Sequence, residues 1–166
     1  MTQAQPHPLK PDLLFSYSQF YVYDSTVKSP ACLWTEAHSR QGFARRELAI
    51  TIGTLLEFGT AEILVHFETP TSFPDATRVL SIPISISSGK MNVDGPEEYP
   101  ATHSISINPG NYLVTVAQRV TGPTSEHIDV FMEPNEDLLR KSQIIIADEF
   151  LDPLEPLLEA SDPVSK

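Results

Sequence analysis

From Arg78 to Ser87 apolar and polar residues alternate strictly, with Leu80, Ile82, Ile84 and Ile86 on one side and Ser81, Pro83, Ser85 and Ser87 on the other. A period of two is that of a strand, so the segment shows one face to a core and one to water. Pro83 has no N–H for a ladder and places this strand at a sheet edge or a bulge. The same logic finds further strands. Phe15 to Asp24 is rich in aromatic and β-branched residues and reads as one strand. Leu48, Ile50 and Ile52 alternate with Ala49 and Thr51, and the stretch Glu62 to Glu68 follows after a glycine-bounded connection, so the two read as an antiparallel pair.

Short strands are also expected at Met91–Val93 and Ser104–Ile107, at Tyr112–Val120 after the turn Asn108-Pro109-Gly110-Asn111, at His127–Met132, and at Ser142–Ala147 around three isoleucines. A single helix of about two turns is expected between Thr35 and Gly42. Thr35 suits its N-cap, Glu36 its positive first turn, Arg40 its last turn, and Gly42 the left-handed position beyond it. About eight short strands, one helix and no alternation of strand and helix predict an all-β fold, an antiparallel β-sandwich or small barrel with an acidic C-terminal extension. Residues 1–12 are polar and proline-rich and read as a mobile lead-in contributing little to the core. A single β domain is expected over 13–147 and an acidic segment over 148–166, where leucines mix with acids and Pro153 and Pro156 leave room for two short helical turns at most.

Charge narrows the function. The 166 residues carry a net charge of −11, and nine acids against three bases fall in residues 133–166, so more than half of that charge lies there. No basic cluster exceeds Arg45-Arg46, which argues against direct binding to nucleic acid or to an anionic membrane surface, because such affinity comes from cations meeting phosphates. A basic partner is the natural counterpart. No apolar run is long enough to span a membrane, and one cysteine, Cys32, allows no internal disulfide; a cytoplasmic location is expected.

Catalytic motifs are missing from the sequence: it has no glycine-rich phosphate loop, no HExxH, no GxSxG and no paired cysteines. His7, His38, His66, His103 and His127 show no ligand spacing, and no cofactor or metal is called for. Cys32 reads as a buried inert thiol. Trp34, Tyr17, Tyr21, Tyr23 and Phe43 pack a helix on a sheet in the plainest reading. As a pocket they would make the chain a small-molecule-binding β-sandwich without catalytic activity, the alternative function.

The segment Tyr17-Ser18-Gln19-Phe20-Tyr21-Val22-Tyr23, then Trp34-Thr35-Glu36-Ala37 with Gly42-Phe43-Ala44, then Ala49-Ile50-Thr51-Ile52, and later Asn108-Pro109-Gly110-Asn111-Tyr112-Leu113-Val114, resembles the competence protein J (ComJ) family over residues 14 to 132. The resemblance implies a non-enzymatic inhibitor of a DNA-entry nuclease. This fits the charge, since a cleft that attracts DNA is expected to be electropositive and an acidic protein fills it through the same field. By physics alone, the partner-binding residues are expected in the loop Asp94, Glu97 and Glu98, with Tyr99 beside it as anchor, and in Asp148, Glu149, Asp152 and Glu155.

Overall fold

In the computed structural model, which describes residues 6–96 and 103–164, the strands form two sheets that enclose one apolar core. In chain order they are β1 (His7–Pro8), β2 (Leu13–Phe15), β3 (Gln19–Asp24), β4 (Phe43–Arg45), β5 (Ala49–Gly53), β6 (Gly59–His66), β7 (Arg78–Ile86), β8 (Lys90–Asp94), β9 (Ser104–Ser106), β10 (Gly110–Gly122), β11 (Ser125–Pro134) and β12 (Gln143–Ile146). The helix α1 (Glu36–Gln41) stands between β3 and β4. Among the described residues the larger sheet has the order β1-β6-β11-β10-β7-β12, with β2 also on β6, and the smaller has the order β4-β5-β3-β8-β9. Neither closes on itself, so of the two expected architectures the sandwich is the one adopted.

Alternation decides which side chains meet. Leu80, Ile82 and Ile84 of β7, Ile63 and Val65 of β6, Val114 and Val116 of β10 and Ile128 and Val130 of β11 belong to one buried cluster of the larger sheet, to which the smaller sheet contributes Phe20, Val22, Ile50 and Ile52. Fully burying a side chain of this kind is worth about 1.5–3 kcal/mol, so this layer dominates the stability. On the opposite face of β7, Ser81 is also buried and exchanges a 2.8 Å hydrogen bond with Thr115. Pro83 sits where its expectation put it, because β12 reaches β7 only over Val79 to Ser81 and leaves the open side of Pro83 without a ladder partner.

Four expectations need correction. Phe15 to Asp24 is not one strand: Tyr17 and Ser18 take φ of 55° and 57°, a tight turn that sends β2 to the larger sheet and β3 to the smaller. β5 and β6 are not partners. All of β5 is buried between β3 and β4, whereas β6 alternates buried and open positions, so the two segments pack in opposite sheets. The sandwich is not wholly antiparallel, because β6 and β11 run parallel from Thr60–Ser125 to His66–Phe131. Residues 148–164, where two short helical turns at most were expected, contain no helix and run as an irregular strap; Pro153, Pro156 and Pro163 each lack the N–H that a helix needs. Residues 7–9 also do more than lead in, since β1 pairs with β6 and Leu9 is 4% exposed within the core.

Gly59 is required by packing at the start of β6. Its φ is 149°, and a Cβ there would fall 2.1 Å from the carbonyl oxygen of Thr124.

Candidate functional site

The helix forms as its caps dictate. The Thr35 side chain accepts the His38 N–H, the His38 ring accepts the Thr35 N–H at 3.0 Å, and Gly42 closes the far end at φ 85°. His38 Nε2 then donates to the carbonyl of Ala160 at 3.0 Å, which fixes the ring as the Nε2–H tautomer and ties α1 to the strap.

That tie is one of a series along residues 148–164. Asp148 takes both arms of Arg78 at 3.0 Å; Asp152 takes Arg40 through its carbonyl at 2.7 Å and its carboxylate at 3.1 Å. Gln41 exchanges two hydrogen bonds with the backbone of Leu158, and Arg45 donates to the carbonyl of Glu159 at 3.0 Å. Beyond them the N–H of Leu33 reaches the carbonyl of Asp162 at 2.7 Å, and Cys32 bridges Pro163. The strap is therefore fastened across α1 and the smaller sheet, with the carboxylates of Asp152, Glu149 and Glu155 left outward; the Asp152 side chain is 85% exposed.

The other half of the expected site is placed differently. Asp94 ends β8 at 2% exposure and accepts the Tyr23 hydroxyl at 2.6 Å, with His103 Nδ1 3.6 Å away, so it is an internal group rather than a surface acid. Asp148 is likewise committed to Arg78. Glu97, Glu98 and Tyr99 lie outside the described residues. Tyr21 and Tyr23 line one cavity of about 240 Å³ with Asp94, and burial followed by the nearby Cys32 pushes the Tyr21 hydroxyl up to about 12. Trp34 and Tyr17 line a different groove, and Phe43 is sealed in the core, so the aromatics do not converge on one pocket.

That second groove, about 410 Å³, opens at one end of the sandwich. Tyr17, Trp34, Gly53, Arg78, Phe150 and Leu151 are among its lining residues. Arg78 is neutralised by Asp148 and gives its remaining arm to the carbonyl of Gly53 at 3.2 Å. Trp34 donates its indole N–H to Gln19 at 3.0 Å. Tyr17 and Phe150 are 74% and 71% exposed, the kind of aromatic surface that a partner covers. Sequence reasoning missed Phe150 and the position of Tyr17.

The histidines are dispersed except for one pair. His66 and His127 both bond Asp129, at 2.8 and 3.1 Å, and His66 stacks on Phe131 with ring centres 4.3 Å apart. Among the described residues no group of three or more His, Cys, Asp or Glu side chains is placed to hold a metal ion, and no helix is long and apolar enough to cross a membrane. Cys32 is buried, with its thiol 3.8 Å from the carbonyls of Pro30 and Ala49.

The model of the competence protein J (ComJ) family matches residues 12–139. Among solved structures, the chain is similar to ComJ of Bacillus subtilis, described as an inhibitor of the DNA-degrading activity of NucA, with a TM-score of 0.64 at 16% identity over 80% of this chain and 97% of that one. It is also similar to the product of crocagin biosynthetic gene J, with a TM-score of 0.52 at 16% identity over 80% of this chain and all of that one. At such identity the two likenesses concern the fold alone. No curated protein sequence matches. The family match ends before the strap, which begins at Asp148.

Proposed function

Since the chain belongs to the competence protein J family, we propose that it is a non-catalytic protein inhibitor that binds a DNA-degrading nuclease and occludes its cleft. The family match over residues 12–139 carries this reading, and the likeness to a protein described as a NucA inhibitor agrees with it. The charge supplies a physical route: a nuclease cleft built to attract phosphates also attracts a protein of net charge −11. On this reading the outward acids Glu149, Asp152 and Glu155 steer the encounter together with Glu97 and Glu98, and Tyr99 serves as an anchor. Asp94 and Asp148 support the structure behind them.

The test is a titration of the protein into the NucA-type nuclease of the same genome, with DNA cleavage followed at low and high salt. Inhibition saturating near one inhibitor per nuclease, and weakening as the Debye length falls from ~10 Å at 0.1 M to ~3 Å at 1 M, is the expected result. Undiminished cleavage at a large excess of folded protein in low salt would overturn the proposal.

A further inference from the structure

We propose that the groove bordered by the Tyr17–Ser18 turn and Phe150 is where the chain grips a cationic loop of the nuclease, with Tyr17 and Phe150 as its aromatic anchors; this rests on the inhibitor reading above.

The turn itself is the first argument. Ser16 and Gln19 bridge across it, and both residues between them are left-handed, at φ 55° and 57°. A two-residue reversal of this kind favours Asn-Gly, because side chains such as tyrosine are strained there. The chain instead carries Tyr-Ser, and leaves the tyrosine 74% exposed. Its ring does little for the fold, so the strain is better explained by what the ring meets. The turn is also held rigidly: the Ser18 N–H donates to the Glu57 carbonyl at 2.8 Å, and the Ser18 carbonyl accepts the Thr54 N–H at 2.9 Å. An anchor presented in this way loses little freedom on binding.

The chemistry of the groove selects the occupant. Its one guanidinium, on Arg78, is already neutralised by Asp148 and does not repel a cation. Gly42 and Gly53 let the groove's own walls pack closely, since a Cβ on Gly53 would lie 3.1 Å from the Gly42 carbonyl oxygen and one on Gly42 3.0 Å from Leu151. Two exposed acidic residues adjoin the anchors: Glu57, whose carbonyl accepts the Ser18 N–H of the turn, and Glu149, which precedes Phe150 in the chain. Aromatic faces with carboxylates near them suit a lysine or arginine side chain, the type of residue with which a nuclease holds phosphates.

The experiment replaces the turn with the residues it favours, Tyr17→Asn with Ser18→Gly, and separately makes Phe150→Ser. Each variant is compared with the wild type in melting temperature and in inhibition of the NucA-type nuclease. Fluorotryptophan at Trp34, the single tryptophan, supplies a fluorine NMR signal inside the groove. The expected result is an unchanged or raised melting temperature for the turn variant, about thirtyfold or more weaker inhibition for both variants, and a Trp34 signal that shifts when nuclease is added to the wild type. Should the turn variant melt lower, Phe150→Ser decides: weaker inhibition at an unchanged melting temperature supports the groove, and full inhibition overturns it. A wild type that inhibits, with both variants equally potent and an unmoved Trp34 signal, sinks the groove and leaves the inhibitor reading standing. A wild type that never inhibits removes both. A self-associating wild type made monomeric by the turn variant, with inhibition intact, would assign the groove to a second copy of the chain and also overturn the proposal.

Discussion

Arg78 and Asp148 grip each other through two parallel hydrogen bonds, Nε to Oδ1 and Nη2 to Oδ2, each 3.0 Å long and spanning seventy residues of sequence. Their side chains are only 6% and 10% exposed, so the pair is a buried one that joins the first residue of β7 to the start of the strap.

Removing one partner strands the other. Asp148→Ala is expected to destabilise the fold by about 3–5 kcal/mol, because the Arg78 guanidinium stays buried without its counter-ion. The double change Arg78→Met with Asp148→Leu is expected to cost markedly less. Urea unfolding of the two variants and the wild type checks this; equal losses in both would show that packing, rather than the stranded charge, sets the cost.

Asp24 gives an acid-side prediction. Burial alone would raise its carboxyl, but the Thr26 hydroxyl, the N–H groups of Ser88 and Thr26 and the Ser88 hydroxyl outweigh burial and hold it well below the ordinary carboxylate range. A lowered folded-state value means that the ionised form favours the fold. This contribution is complete above the unfolded value of about 3.9 and is lost as pH falls toward the folded one. Asp24→Asn is expected to lower stability at pH 7 by about 1–3 kcal/mol and to flatten the acid limb of a plot of urea midpoint against pH. A variant curve parallel to that of the wild type down to pH 2 would count against this account.

Glu126 has the opposite sign. Burial raises its carboxyl, against the pull of the Leu56 and Leu55 amides and Arg78, and its Oε1 has no hydrogen-bond partner among the described residues. The neutral form therefore favours the fold, and stability falls as pH rises from about 4.3 through the raised value. Glu126→Gln can keep an acceptor for the Leu56 N–H while removing the titration. The wild type is expected to lose more stability than this variant between pH 4 and pH 8, as read from denaturation midpoints; identical losses would refute it.

The strap's outward acids predict rates rather than stability. Glu149→Lys with Glu155→Lys is expected to leave the fold within about 0.5 kcal/mol of the wild type. It should slow association with the nuclease about tenfold or more at low salt. The difference should close near 1 M salt, where the Debye length is ~3 Å. Stopped-flow mixing measures it, and a salt-independent difference would point to lost contacts instead of lost steering.

The strand β7 was legible from the period of two over Leu80 to Ile86, although the serine side expected in water is buried as far as Pro83, and the helix was legible from Thr35 and Gly42. Pairing was not. β5 and β6 are neighbours in sequence yet join different sheets, because partners are chosen by burial across the whole molecule and no local pattern carries that information. The reversal at Tyr17–Ser18 was hidden because neither residue type announces a left-handed turn. Of the proposed contact residues, the exposure of Glu149, Asp152 and Glu155 followed from their charge. The commitments of Asp94 to Tyr23 and of Asp148 to Arg78 depend on contacts across seventy or more residues, which composition cannot reveal.

The parallel pairing of β6 with β11 also has a consequence for synthesis. Residues 59–66 leave the ribosome with β1 and β2 to pair on one side, but their other edge waits until residues 125–131 have been made. Through that interval the nascent chain carries an open ladder of N–H and C=O groups beside the apolar side chains of Ile63 and Val65. A ribosome stalled between these two segments would therefore hold a sticky half-sheet, a natural client for a chaperone, whereas a chain whose residues 125–131 have emerged from the ribosome can close that edge.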